Sequence, residues 1–99
     1  MDAKEKRDEQ LEDARWVMDN PRGRRFIRRL LGETCCVFGS VMRSQPGIPL
    51  EISVAYSAGK QDVGHFIMDE CALAHPVGMQ QMNNEAYSLK IQGEKHASD

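Results

Sequence analysis

Arg22, Arg24, Arg25, Arg28 and Arg29 place five guanidinium groups within eight positions. A guanidinium is a planar, permanently charged fork that binds a carboxylate or a phosphate through paired hydrogen bonds. Three roles are therefore open to the cluster: a solvated helix face, a contact with an acidic protein surface, or a grip on phosphate. The solvated face adds little, since exposed ion pairs contribute under about 1 kcal/mol each. The acidic-surface role has a complement in the same chain, because Glu51, Asp62 and Asp69 share one edge of a later segment, and a neighbouring copy can supply them. The phosphate role lacks interleaved aromatics for base stacking, and acidic stretches on both sides repel a long duplex. It is confined to local contact with DNA.

The remaining reactive side chains form weaker patterns. His65 and Asp69, and again Cys71 and His75, stand four apart, the spacing that puts two metal ligands on one side of a helix. The two pairs fall on different faces, and paired CxxC spacing is absent, so no metal site is expected. His65 near Asp62 has the elements of a base and its orienting carboxylate. No nucleophile motif, glycine-rich phosphate loop or paired carboxylates accompany it. The chain is accordingly read as a non-enzyme with no cofactor.

The totals bound what can surround these residues. Ninety-nine residues make one small domain, 1–99, with its core expected over about 11–92, and so short a chain buries a limited core unless partners or copies of itself cover its helices. The net charge of −2 hides a pattern: residues 1–20 carry four bases and seven acids, 21–43 six bases and one acid, and 44–99 three bases and seven acids. A basic middle between acidic ends favours charge pairing within the chain or head-to-tail association between copies. The polar start DAKEKRDEQLED is unlike a secretory leader, and no membrane span is expected. Three cysteines, Cys35, Cys36 and Cys71, fit free thiols in a reducing compartment better than a disulfide framework.

Four helices are expected, an all-α bundle. Residues 4–18 form the first, with Leu11, Ala14 and Met18 at helical spacing; its first ten residues are nearly all polar and prone to fray. Asn20 and Pro21 end it and start the next, since Pro21 disfavours helical backbone before it and is at home at a first helical position. On a wheel advancing about 100° per residue, residues 21–36 put the arginines on an arc from about 300° round to 100°, and Phe26, Ile27, Leu30 and Leu31 between about 140° and 280°. Residues 39–49 read as a loop. A third helix runs from residue 49 or 50 to about 73, its core-facing arc made of Ile52, Ala55, Tyr56, Val63, Phe66 and Ile67, with Gly59 in that arc admitting a close backbone. A fourth helix begins at Pro76, carries Met79, Met82, Ala86 and Leu89 as a seam, and ends at Gly93 before a short disordered tail. Trp16, Phe26, Leu30, Gly59 and Phe66 are the expected packing residues.

The run WVMDNPRGRRFIRRLL, then AYSAGKQDVGHFIMDE, then a Pro-led helix ending near NNEAY resembles a family of small proteins encoded among the virion genes of tailed bacteriophages. The matching positions are Trp16, Val17, Met18, Pro21, Gly23, Arg24, Arg25 and Phe26, followed by Gly59, Val63 and Gly64, within roughly residues 14–87. Gln61 stands where the family pattern has a basic residue. The resemblance implies a non-catalytic structural component of a virion, made in the bacterial host cytoplasm. Its implied partners are portal, tail or internal (ejected) head proteins and copies of itself, met through apolar helix faces and the arginine face. The alternative from the residues alone is a small helical DNA-binding or regulatory module that uses the arginine face on phosphates.

Overall fold

The computed structural model describes residues 2–39 and 46–97. The four expected helices are present, and the described residues hold no strand: α1 Ala3–Asp19, α2 Pro21–Arg29, α3 Leu50–Ala74 and α4 Pro76–Ala97, with a π-helical turn, Leu30–Thr34, continuing α2. Most of the expected 39–49 loop lies outside the described residues.

Local chemistry explains the boundaries. The Asp2 carboxylate caps α1 by accepting from the Glu5 amide at 2.8 Å, the usual way to satisfy an orphan donor at a helix start. Asn20 closes α1, its backbone N–H donating to the Val17 carbonyl, and opens α2, its side-chain oxygen accepting from the Arg22 amide at 3.0 Å, with Pro21 first in the new helix. The corner is tight enough that a Cβ on Gly23 would sit 2.0 Å from the Val17 carbonyl oxygen.

The second helix does not run as α-helix to residue 36. Its last turn widens, with the Cys35 amide donating to the Leu30 carbonyl at 2.8 Å, five residues back. The Val37 amide then reaches the Leu31 carbonyl at 3.0 Å across Cys36, which sits at φ 54°. Left-handed backbone costs a non-glycine residue about 1–2 kcal/mol, and a clamp from α3 offsets this. The Gln61 amide donates to the carbonyls of Cys36 and Gly39, each at 2.8 Å.

The buried cluster is small: Met18, Leu31, Cys71 and Met82, with Ile27, Val37, Ile67, Met68 and Met79 packed around it. Cys35 and Ala74 are also buried, and the cysteine thiols are free. α1 touches each of the other three helices, α2 packs on α4, and α3 packs on α4 and on the π-turn. The polar start of α1 is tied down by Arg7, whose guanidinium binds both oxygens of Glu70 on α3. Arg15 donates from Nε to the Ala74 carbonyl at 3.1 Å, satisfying an orphan acceptor at the end of α3.

Several packing assignments are corrected. The arc of Ile52, Ala55, Tyr56, Val63 and Phe66 faces outward; only Ile67 of that set joins the core. α3 instead buries Ser53, Gly64, Cys71 and Ala74. Small residues let backbones approach, and a Cβ on Gly64 would lie 2.3 Å from the Val37 side chain and 2.7 Å from that of Cys35. Gly59, expected at a close approach, has nothing within 4 Å. Trp16, Phe26 and Phe66 are exposed rather than packed within the chain, and Leu30 is half-buried. α4 continues through Gly93 to Ala97; Ser98 and Asp99 of the expected tail lie outside the described residues.

The four helices form a slab of 49 × 41 × 15 Å. Its shortest dimension is about a third of the other two. Its radius of gyration is 16.6 Å, against about 13 Å for a compact domain of this length. All six aromatic residues, Trp16, Phe26, Phe38, Tyr56, Phe66 and Tyr87, are at least half exposed.

Two outcomes follow. Gly23→Ala lowers stability by about 1–3 kcal/mol through overpacking at the corner, whereas Gly59→Ala raises it by up to about 1 kcal/mol through helix propensity in open space; urea titration of the dilute chain reads both. The Arg7 hydrogen bonds hold the Glu70 carboxyl below its ordinary value of 4.5. A lowered folded value means that the pair's contribution is present above the ordinary carboxyl range and lost as pH falls through that lowered value. Acidification should lower the amide protection factors, taken relative to the intrinsic exchange rate at each pH, in the first turns of α1, and Glu70→Gln should flatten that response.

Candidate functional site

The arginine face is built by α2 and its π-turn. Arg22, Arg25 and Arg29 are exposed and Arg28 is half-buried. Arg24 leaves the face, correcting its assignment as a partner contact. It is buried, donating from Nη1 to the Met18 carbonyl at 2.9 Å and from Nε to Glu85 at 2.6 Å. On the wheel Arg24 stands at the border of the apolar arc, and the free carbonyl at the end of α1 and the carboxylate on α4 draw it inward. Charge-assisted bonds of this kind contribute about 1.5–3 kcal/mol each when well formed. Arg24 is thus the bolt joining α1, α2 and α4.

The arginines left outside border a groove of about 590 Å³ between α2, the π-turn and α4. Met82, Ala86 and Leu89 give it an apolar floor, and Arg25, Arg28, Arg29 and Lys90 a cationic rim. Arg28 lies 3.9 Å from the Phe38 ring centroid and Arg29 5.5 Å from that of Phe26, so two exposed aromatics hold guanidinium planes in place through cation–π attraction. Glu33 and Glu85 also border the groove, but Glu85 is engaged by Arg24. Among the described residues, Arg22, Arg25, Arg28 and Arg29 form no ion pair. The site is equipped to take an apolar ridge bearing carboxylates or another anion along its side.

Glu51, Asp62 and Asp69 are exposed on α3 and form no ion pair among the described residues. Within one chain, then, the acidic edge and the arginine face do not meet. Next to that edge the exposed Ile52, Tyr56, Gly59, Val63 and Phe66 recur at spacings of four and three, the repeat of a helix seam.

The other reactive pairs separate. Cys71 is buried, and burial, then the neighbouring Glu70 charge, pushes its thiol up from its ordinary value, so little thiolate is present at neutral pH. His75 turns away to cap α4. Its Nδ1 accepts from the Gly78 amide at 2.8 Å, leaving Nε2–H to donate to Asp19 at 2.7 Å. This His-Pro-x-Gly cap escaped a reading that sought metal ligands, although histidine just before a Pro-led helix was visible. His65 and Asp62 are exposed without a mutual hydrogen bond. No group of three metal-ligating side chains occurs among the described residues, and none of their helices is long and apolar enough to cross a membrane.

Arg24→Ala should lower stability by about 2–3 kcal/mol, leaving a buried carbonyl and a carboxylate without their donor, while Arg25→Ala should change it by less than about 0.5 kcal/mol, as at most surface sites. Urea unfolding of both variants checks the division of labour. No family model matches the chain, and neither a curated protein nor a solved structure matches it.

Proposed function

We propose that this protein is a non-enzymatic assembly component, a small helical plate completed by the molecules packed against it. The observation that carries the reading is the exposure of fourteen large apolar side chains among the described residues, every aromatic among them, on a plate 15 Å thick. Contiguous apolar surface on a soluble chain marks sites of association, and aromatics are the side chains that dominate interfaces. The unpaired arginines beside an apolar groove add selectivity for an acidic partner surface.

The resemblance over residues 14–87 supplies the setting: the virion of a tailed bacteriophage, with synthesis in the bacterial host cytoplasm and multiple copies packed against portal, tail or internal head proteins. Structural features are consistent with some of those motif positions being fold-forming. Pro21 starts α2, Gly23 and Gly64 occupy close contacts, and Arg24 ties three helices together. Trp16, Arg25, Phe26, Gly59 and Val63 are exposed, positions available to a partner.

A second reading, a small DNA-binding or regulatory module, has the unpaired Arg25, Arg28 and Arg29 in its favour. Against it stand the apolar groove floor and the acidic remainder of the chain.

In purified particles, the chain should be retained at fixed stoichiometry after nuclease treatment and through high-salt washing, because apolar contacts survive salt that screens charge. Release by nuclease, with DNA affinity falling steeply as salt rises, would favour the second reading. Absence from particles, together with a stable monomer binding no virion protein, would remove the first.

A further inference from the structure

We propose that the arginine-rimmed groove between α2 and α4 receives the outer face of α3 from a second copy, so that the chain associates head to tail. This rests on the assembly reading above and gives it a partner: the protein itself.

The two surfaces match in chemistry. The groove has apolar Ala86 and Leu89 below unpaired Arg25 and Arg29. On α3, Val63, Phe66 and Leu73 are exposed on one side, with Asp62 and Asp69 alongside them two helical turns apart. An apolar ridge flanked by carboxylates meets an apolar trough flanked by guanidinium groups, the arrangement that fixes both register and partner. The α4 wall, residues 82–90, spans about 12 Å and can take about two turns of the 62–73 ridge.

Area favours a head-to-tail contact over a two-fold one. The chain exposes 7426 Å², whereas a compact protein of 11.2 kDa exposes about 5,700 Å²; the excess is about 1,700 Å². A standard interface covers about 800 Å² on each partner. A two-fold dimer through α3 alone would cover that amount once per copy. A head-to-tail contact covers two different patches on every copy, about 1,600 Å². Such a contact closes into a ring or continues as a filament, depending on the rotation between copies.

Two charge reversals at exposed positions test this. Arg25→Glu with Arg29→Glu spoils the groove and leaves α3 intact; Asp62→Arg with Asp69→Arg spoils the α3 edge and leaves the groove intact. Sedimentation velocity should show the wild type forming species larger than a dimer on concentration. Each variant alone should remain a monomer, its association weakened about a hundredfold or more. An equimolar mixture should restore species larger than a dimer, with the two variants alternating, because the native contact and its charge-exchanged counterpart both form between them. Circular dichroism confirms the helix content of each variant, and the chain carrying all four changes, its charges exchanged, should associate again. If the groove variant self-associates like the wild type, the inference is overturned while the assembly reading stands. A wild type that stays monomeric at every concentration also overturns it, and retention in particles then judges the assembly reading separately.

Discussion

Among the described residues, Met18, Leu31 and Met82 are the large side chains enclosed completely, and this shortage of enclosed volume is the constraint that shapes the rest of the fold. The four helices pack into a flattened body that leaves much of their apolar surface to solvent. Full burial of a large apolar side chain contributes about 1.5–3 kcal/mol, and ordering each residue's backbone costs about 1–2 kcal/mol. A core of this size leaves such a chain reliant on polar ties between its helices.

The polar ties are placed where the core is thinnest. Arg24 joins the end of α1 to α4, Arg15 satisfies the end of α3, Arg7 holds the start of α1 against Glu70, and His75 links α1 to the α3–α4 corner. Each spans helices far apart in sequence and engages a helix terminus or a carboxylate. Together they fix a plate whose interior alone defines little, and they leave one group of arginines uncommitted beside a groove. Adjacent arginines of α2 thus divide between tying helices together, at Arg24, and lining the groove, at Arg25.

The helices and their boundaries were legible because their signals are local. Asn20-Pro21 and Pro76 announce helix starts through backbone sterics, and residues 50–74 read as one helix despite Gly59 and Gly64. The core was not legible in the same way. Wheel reasoning assigns the widest apolar arc to the interior, but α3 packs through Gly64, Cys71 and Ala74, whose smallness permits close backbone contact while contributing little to any hydrophobic count. Tyr56, Val63 and Phe66 do share one face of α3, but that face is turned outward. Arg24 is hidden for a related reason: nothing local distinguishes a guanidinium whose carboxylate partner lies sixty-one residues away from the exposed arginines beside it. The groove joins α2 to α4 across the chain, so its two walls appeared separately, as an arginine arc and as the outer half of the Met79, Met82, Ala86, Leu89 seam.

Covering of the plate's apolar side chains on assembly can be measured directly by hydroxyl-radical footprinting of the dilute chain and of the assembled state. The account predicts that Phe66 and Leu89 become strongly protected on assembly, while Met18 and Met82 are protected in both states. Equal reactivity of Phe66 and Leu89 before and after assembly would contradict it.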